Sequence, residues 1–242
     1  MTIRSQNSGV WNDSASCLEH IKKGKEMTPE LKKETDRKLE NYRKLNQTVE
    51  KNQILFVGSS LMEMFPIEEF IKERNLPLIA YNRGVGGYKT EDLLKVLKIC
   101  VYDLSPRRIF INIGTNDLSD ASISLEQMIS NYDQILSEIE ANLPGVELYI
   151  MAYYPVNYEA ATNEMKPCLQ IRNNAKIALA NTEVMKLAQK HNAKYIDVNA
   201  PLTDREGNLK AEYTIEGMHI NRDGYLSILD DVLKYAGESA WK

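Results

Sequence analysis

Ser60 stands just past the apolar run Ile54-Leu55-Phe56-Val57-Gly58 and leads into the apolar-led segment Leu61 to Phe65. Such a run reads as a buried parallel strand ending in a turn that opens a helix. A serine there lies at the carboxyl end of a strand and near a helix N-terminus, where open α/β sheets place their chemistry. Glu216 precedes His219 by three residues. Within one turn that carboxylate can accept from one ring nitrogen and leave the other free to act as a base. Asn116, in Gly114-Thr115-Asn116-Asp117, carries an amide able to donate to a developing oxyanion. The run Asn82-Arg83-Gly84-Val85-Gly86-Gly87 offers glycines that let a backbone N–H approach a ligand closely. Taken singly, these clusters also read as a loop histidine, an Asn-Asp helix cap and a tight turn.

The chain has three histidines, so a histidine-dependent mechanism must choose among few. His20 lies in a charged N-terminal stretch and His191 follows Gln189-Lys190 at a helix end. Both read as solvated, which leaves His219 as the base. The glycine run is no dinucleotide fingerprint, because position 89 is Lys89, and no Walker A pattern is present.

Elements that could position these residues alternate from Gln53 onward. Pro77–Tyr81, Arg108–Ile113, Val146–Ala152 and Lys194–Val198 read as further strands. Lys89–Cys100, Leu125–Leu143, Asn174–His191 and Arg222–Tyr235 read as helices, and Tyr153–Lys166 as a loop. Strands and helices joined by short links predict one parallel sheet covered on both faces. Residues 1–50 read as a helical extension ahead of a domain spanning 51–242. It holds a short helix near Leu18–Ile21 stopped by Gly24, then a longer one capped by Thr28-Pro29-Glu30, with Leu39, Tyr42, Leu45 and Val49 on one face. That face is expected to pack on the domain, with a homodimer contact as the alternative.

A net charge of −4 gives no basic footprint for nucleic acid. No apolar run reaches membrane-spanning length, and the N-terminus shows no signal peptide. Cys17, Cys100 and Cys168 are widely spaced and odd in number, which predicts free thiols in a reducing cytoplasm.

Together the four clusters resemble the SGNH/GDSL hydrolase family over about Ile54 to Tyr225, and most of all its bacterial branch similar to platelet-activating-factor acetylhydrolases. The first block is Gly58-Ser59-Ser60-Leu61, so the resemblance puts the nucleophile at Ser60. The glycine block puts a backbone oxyanion donor at Gly87, beside the N–H of Ser60 itself, and the G-x-N-D block makes Asn116 the side-chain donor. Glu216-Gly217-Met218-His219-Ile220-Asn221 makes His219 the base and Glu216 its partner. The resemblance implies a flavodoxin-like three-layer α/β/α sandwich with a five-stranded parallel sheet, hydrolysing a small ester, short-acyl or acetyl-like, without metal or cofactor. Two positions depart from the family pattern. Ser59 replaces an aspartate, which leaves two adjacent hydroxyls, and Glu216 replaces the triad aspartate. They leave a second reading open, a binding module on the same scaffold with weakened catalysis. Tyr88 and Tyr154, with Tyr153 and Tyr158, are expected to rim the substrate pocket. Arg172 reads as a solvated helix residue or a contact for a charged leaving group.

Overall fold

The structure, a computed structural model, describes residues 28–237. The short helix expected near Leu18–Ile21, together with Cys17 and His20, lies outside the described residues.

Five parallel strands form one sheet in the order β2-β1-β3-β4-β5. They are β1 (Ile54–Gly58), β2 (Ala80–Asn82), β3 (Arg108–Asn112), β4 (Glu147–Met151) and β5 (Lys194–Ile196). This order reverses direction at β1/β3, the switch point where doubly wound sheets open a crevice. The strands are apolar on both faces because both are covered. Leu55, Val57, Ile109, Ile111, Leu148 and Ile150 face one core, and Ile54, Phe56, Phe110, Tyr149 and Met151 face the other. Register aligns Phe56 with Phe110 and Phe110 with Tyr149. Their rings stack at centroid distances of 4.6 and 4.8 Å, a ladder that ties the three central strands together on one face.

The helices are α1 (Pro29–Leu45), α2 (Ser60–Glu63), α3 (Ile67–Glu73), α4 (Thr90–Cys100), α5 (Thr115–Leu118), α6 (Leu125–Asn142), α7 (Lys166–Ile171), α8 (Asn174–Lys190) and α9 (Arg222–Ala236). Leu93, Leu97, Ile135, Ile139 and Val184 bring α4, α6 and α8 onto the first core. Leu61, Phe70, Tyr225 and Ile228 bring α2, α3 and α9 onto the second. The three-layer sandwich therefore holds. Among the described residues no helix is long and apolar enough to cross a membrane.

The second strand is shorter and later than the sequence suggests, because Pro77 and Leu78 only lead into the pairing that begins at Ala80. Leu61 to Phe65 does not run on into a longer helix. Pro66 closes that turn and caps α3, a helix not anticipated.

α1 starts as its sequence predicts. Thr28 is the N-cap, its hydroxyl accepting from Leu31 N at 3.2 Å, and Pro29 occupies the first turn. Of the expected stripe, Leu39, Tyr42 and Val49 pack on the core, and the departure is at Leu45. Leu31, Thr35 and Leu39 are buried and Leu45 points to solvent. The residue that caps its C-terminus, Asn46, is buried instead, donating to Ile99 O at 2.7 Å and accepting from Arg83 Nε at 2.9 Å. A polar side chain that satisfies two partners can end a packed face where an apolar pattern cannot reveal it.

Candidate active site

β1 runs into α2 through Gly58 and Ser59. Gly58 has φ +154°, and a Cβ there would lie 2.0 Å from Asn112 O of the neighbouring strand, so only glycine lets β1 and β3 approach at this turn. The two adjacent hydroxyls have different surroundings. Ser59 is fully buried, and its Oγ has no hydrogen-bond partner among the described residues. Ser60 is partly exposed, and its Oγ lies 3.0 Å from His219 Nε2.

His219 reaches that position from the loop before α9. Gly217, at φ +101°, makes the reversal, and a Cβ there would strike Ala161 Cβ at 2.6 Å and Asn157 O at 2.7 Å. The loop is pinned from both sides. Gly217 N donates to Thr214 Oγ1 at 2.8 Å, Asn157 N donates to Gly217 O at 2.7 Å, and Ile215 N donates to His219 O at 2.9 Å. Within it the ring Nδ1 of His219 is 2.5 Å from Glu216 Oε1. The carboxylate is largely buried, with Oε2 unpaired among the described residues. A carboxylate only accepts, so this contact places the ring proton on Nδ1 and leaves the Nε2 lone pair toward Ser60.

Asn116 follows Gly114, whose φ of +118° opens α5. The Asn116 amide donates to Tyr88 O at 3.0 Å, which uses one of its two hydrogens. The glycine turn is joined to β1 by Val85 N donating to Gly58 O at 2.9 Å. It is joined to α2 by Gly86 N donating to Glu63 Oε2 at 2.6 Å. Gly87 takes φ +78°. Among the described residues, nothing accepts from the N–H groups of Ser60 or Gly87. All four segments are thus linked by direct contacts at the carboxyl edge of the sheet.

The tyrosines lie elsewhere than expected. Tyr154 is fully buried in the core beneath the sheet edge, and Tyr88 is nearly so. Neither side chain rims the site, and Tyr88 meets it through its main-chain carbonyl. Burial raises both phenols well above the ordinary tyrosine range. Tyr153 is buried too. Its hydroxyl donates to Ile113 O at 2.7 Å under the Gly114 turn, while Tyr158 stays partly exposed. Arg172 is buried rather than solvated, donating through Nη1 to Met218 Sδ at 2.9 Å behind the histidine loop. His191 is not solvated either. Its ring is 6% exposed and held between Asp133 and Glu140, near the starts of β4 and β5 and so at the opposite edge of the sheet from Ser60.

Sequence reasoning passed over Glu63, which sits one turn beyond Ser60 and bonds the glycine turn. Its signal was spacing, since a carboxylate three residues after a serine at a helix start faces back along the same side. It also passed over Asn157, whose amide donates to Leu209 O at 2.7 Å and whose main chain holds Gly217.

Comparison with known proteins gives this arrangement a context. The model of the GDSL-like lipase/acylhydrolase family matches residues 68–226, a span that holds Gly87, Asn116, Glu216 and His219 and starts beyond Ser60. Subunit alpha2 of platelet-activating factor acetylhydrolase IB from Rattus norvegicus is 25% identical over 177 residues, 72% of each chain. A solved protein from Streptococcus pneumonia, described provisionally as a platelet activating factor, is 31% identical with a TM-score of 0.76, over 86% of this chain and 94% of its own. The acetylxylan esterase Axe2 from Geobacillus stearothermophilus shares the fold, with a TM-score of 0.60 at 16% identity, over 79% of this chain and 97% of its own. With a family match over most of its described length and a structural relative above 30% identity, the chain belongs to the GDSL-like lipase/acylhydrolase family and is a carboxylic ester hydrolase.

Proposed function

We propose that the protein hydrolyses a short-acyl, acetyl-like ester, with Ser60 as nucleophile, His219 as general base and Glu216 orienting the imidazole. The observation that carries this reading is the unbroken line from Ser60 Oγ through the His219 ring to Glu216 Oε1, at 3.0 and 2.5 Å. The serine oxygen attacks the ester carbonyl as its proton passes to Nε2, and Glu216 stabilises the imidazolium. The N–H groups of Ser60 and Gly87 and the second amide hydrogen of Asn116 stabilise the tetrahedral oxyanion. Collapse expels the alcohol, which takes its proton from His219. Water then attacks the acyl-enzyme with His219 again as base, and the serine is regenerated. The acetyl preference is supported by the names of the rat acetylhydrolase and the Geobacillus acetylxylan esterase.

The test combines a fluorophosphonate probe with p-nitrophenyl esters of increasing acyl length. Ser60 takes the label, and acetate is turned over faster than butyrate or octanoate. Ser60→Ala loses label and turnover. Ser59→Ala keeps both, because the buried Ser59 hydroxyl bonds to nothing described. Turnover at the wild-type rate in Ser60→Ala removes the nucleophile assignment, and faster turnover of octanoate removes the acyl preference.

A further inference from the structure

The glycine turn that carries the proposed Gly87 donor is anchored from outside the sheet. Three of the four residues Gly84-Val85-Gly86-Gly87 are glycines, the residue with the largest conformational freedom to lose. A donor N–H on such a segment is aimed only if its neighbours are tied down. Glu63, on the helix that Ser60 begins, does this directly by accepting the Gly86 N–H at 2.6 Å with Oε2. Its other oxygen pairs with Lys38 of α1. The two side chains are 17% and 19% exposed, so the pair is largely withdrawn from solvent. α1 closes over the rest of the turn. Tyr42 Oη donates to Gly84 O at 2.7 Å, and a Leu31 methyl lies 3.1 Å from where a Cβ on Gly87 would be.

Resting on the mechanism proposed above, we infer that Glu63 is a positioning residue for the oxyanion hole and that Lys38 makes it compatible with catalysis. The carboxylate fixes the Val85–Gly86 peptide, one link ahead of the peptide that carries the Gly87 N–H, and catalytic donors act only when held near their productive geometry. An uncompensated carboxylate beside a developing oxyanion would oppose it, more so away from bulk water. Lys38 removes that penalty by pairing the charge. α1 is thereby a working part of the site.

The experiment measures kcat and KM for p-nitrophenyl acetate, with thermal melts, for Glu63→Ala, Glu63→Gln, Lys38→Met and the double variant Glu63→Gln/Lys38→Met. Glu63→Ala lowers kcat by about tenfold or more, as loss of an oxyanion donor would, with KM within about twofold. Glu63→Gln keeps an oxygen for the Gly86 N–H and recovers most of the rate. Lys38→Met lowers kcat in the wild-type background and has little effect once position 63 is neutral. That dependence is a readout a purely structural role does not give. A folded Glu63→Ala with wild-type kcat overturns the inference. Should Glu63→Ala fail to fold, equal effects of Lys38→Met in both backgrounds, or none in either, overturn it. A wild type that neither turns over ester nor takes fluorophosphonate overturns the underlying mechanism, and this inference with it. Full wild-type activity with unchanged variants overturns the inference alone.

Discussion

The ring and the main chain of His219 converge on one oxygen of Glu216: Nδ1 lies 2.5 Å from Oε1, and the backbone N–H donates to the same atom at 3.3 Å. Glutamate is one methylene longer than the aspartate of the family pattern, and its side chain folds back along its own loop to meet both donors. Glu216→Gln keeps the size and removes the charge. Its amide can also turn an N–H toward Nδ1 and favour the wrong tautomer. The expected result is a loss of at least roughly 100-fold in kcat on p-nitrophenyl acetate with a small change in KM. Glu216→Asp, too short to meet both donors, falls between. A glutamine variant within about threefold of wild type would show that the carboxylate is not needed.

Asn116 is held by one amide hydrogen on Tyr88 O, at 3.0 Å, which aims the other. If that hydrogen meets the oxyanion, its benefit is confined to the transition state. Asn116→Ala is then expected to lower kcat by about 10²–10³ with KM nearly constant. Asn116→Asp should be worse than alanine, because it replaces a donor with a negative charge facing a developing negative charge. Steady-state kinetics on the three proteins decides it, and an aspartate variant faster than the alanine one counts against the assignment.

The sheet was legible because its strands are short, apolar and bounded by glycine, proline or polar turns, and because helices at the expected period separate them. Three of the site segments were legible because they directly follow β1, β2 and β3, and strand ends share an edge in a parallel sheet, whereas Glu216 and His219 lie on a loop about twenty residues past the end of β5 and were found by their own spacing and the family pattern. Ser60 was chosen over Ser59 through the family register alone, and the coordinates add what chemistry cannot, that the two hydroxyls differ in direction and burial. The tyrosines misled for a different reason. Met151-Ala152-Tyr153-Tyr154-Pro155-Val156 continues the apolar run of β4, a sign of burial that the loop assignment overrode. The pairing of Glu63 with Lys38 was invisible for a third. On amphipathic helices such residues ordinarily mark the solvated face, and only the fold brings positions 25 residues apart into an ion pair.

Asp117, next to Asn116, gives the fold a pH dependence of unusual sign. Its carboxylate is 1% exposed. It accepts from Thr90 N at 3.0 Å and from Thr90 Oγ1 at 2.5 Å, which joins α5 to the start of α4. Burial dominates over these bonds and pushes its pKa up to about 6 from the ordinary 3.8. In the unfolded chain the group ionises near its ordinary value. Between these two values the native state therefore binds the extra proton, and native stability from this residue falls as pH rises through that window. Full ionisation costs the native state on the order of 3 kcal/mol relative to the protonated form. Asp117→Asn cannot ionise and lacks this loss. Urea unfolding of both proteins at pH 4.5 and 7.5 should show the stability difference moving in favour of the asparagine variant by about 1–3 kcal/mol at the higher pH. A difference that stays constant, or moves the other way, means the Thr90 bonds outweigh burial and Asp117 is ionised throughout.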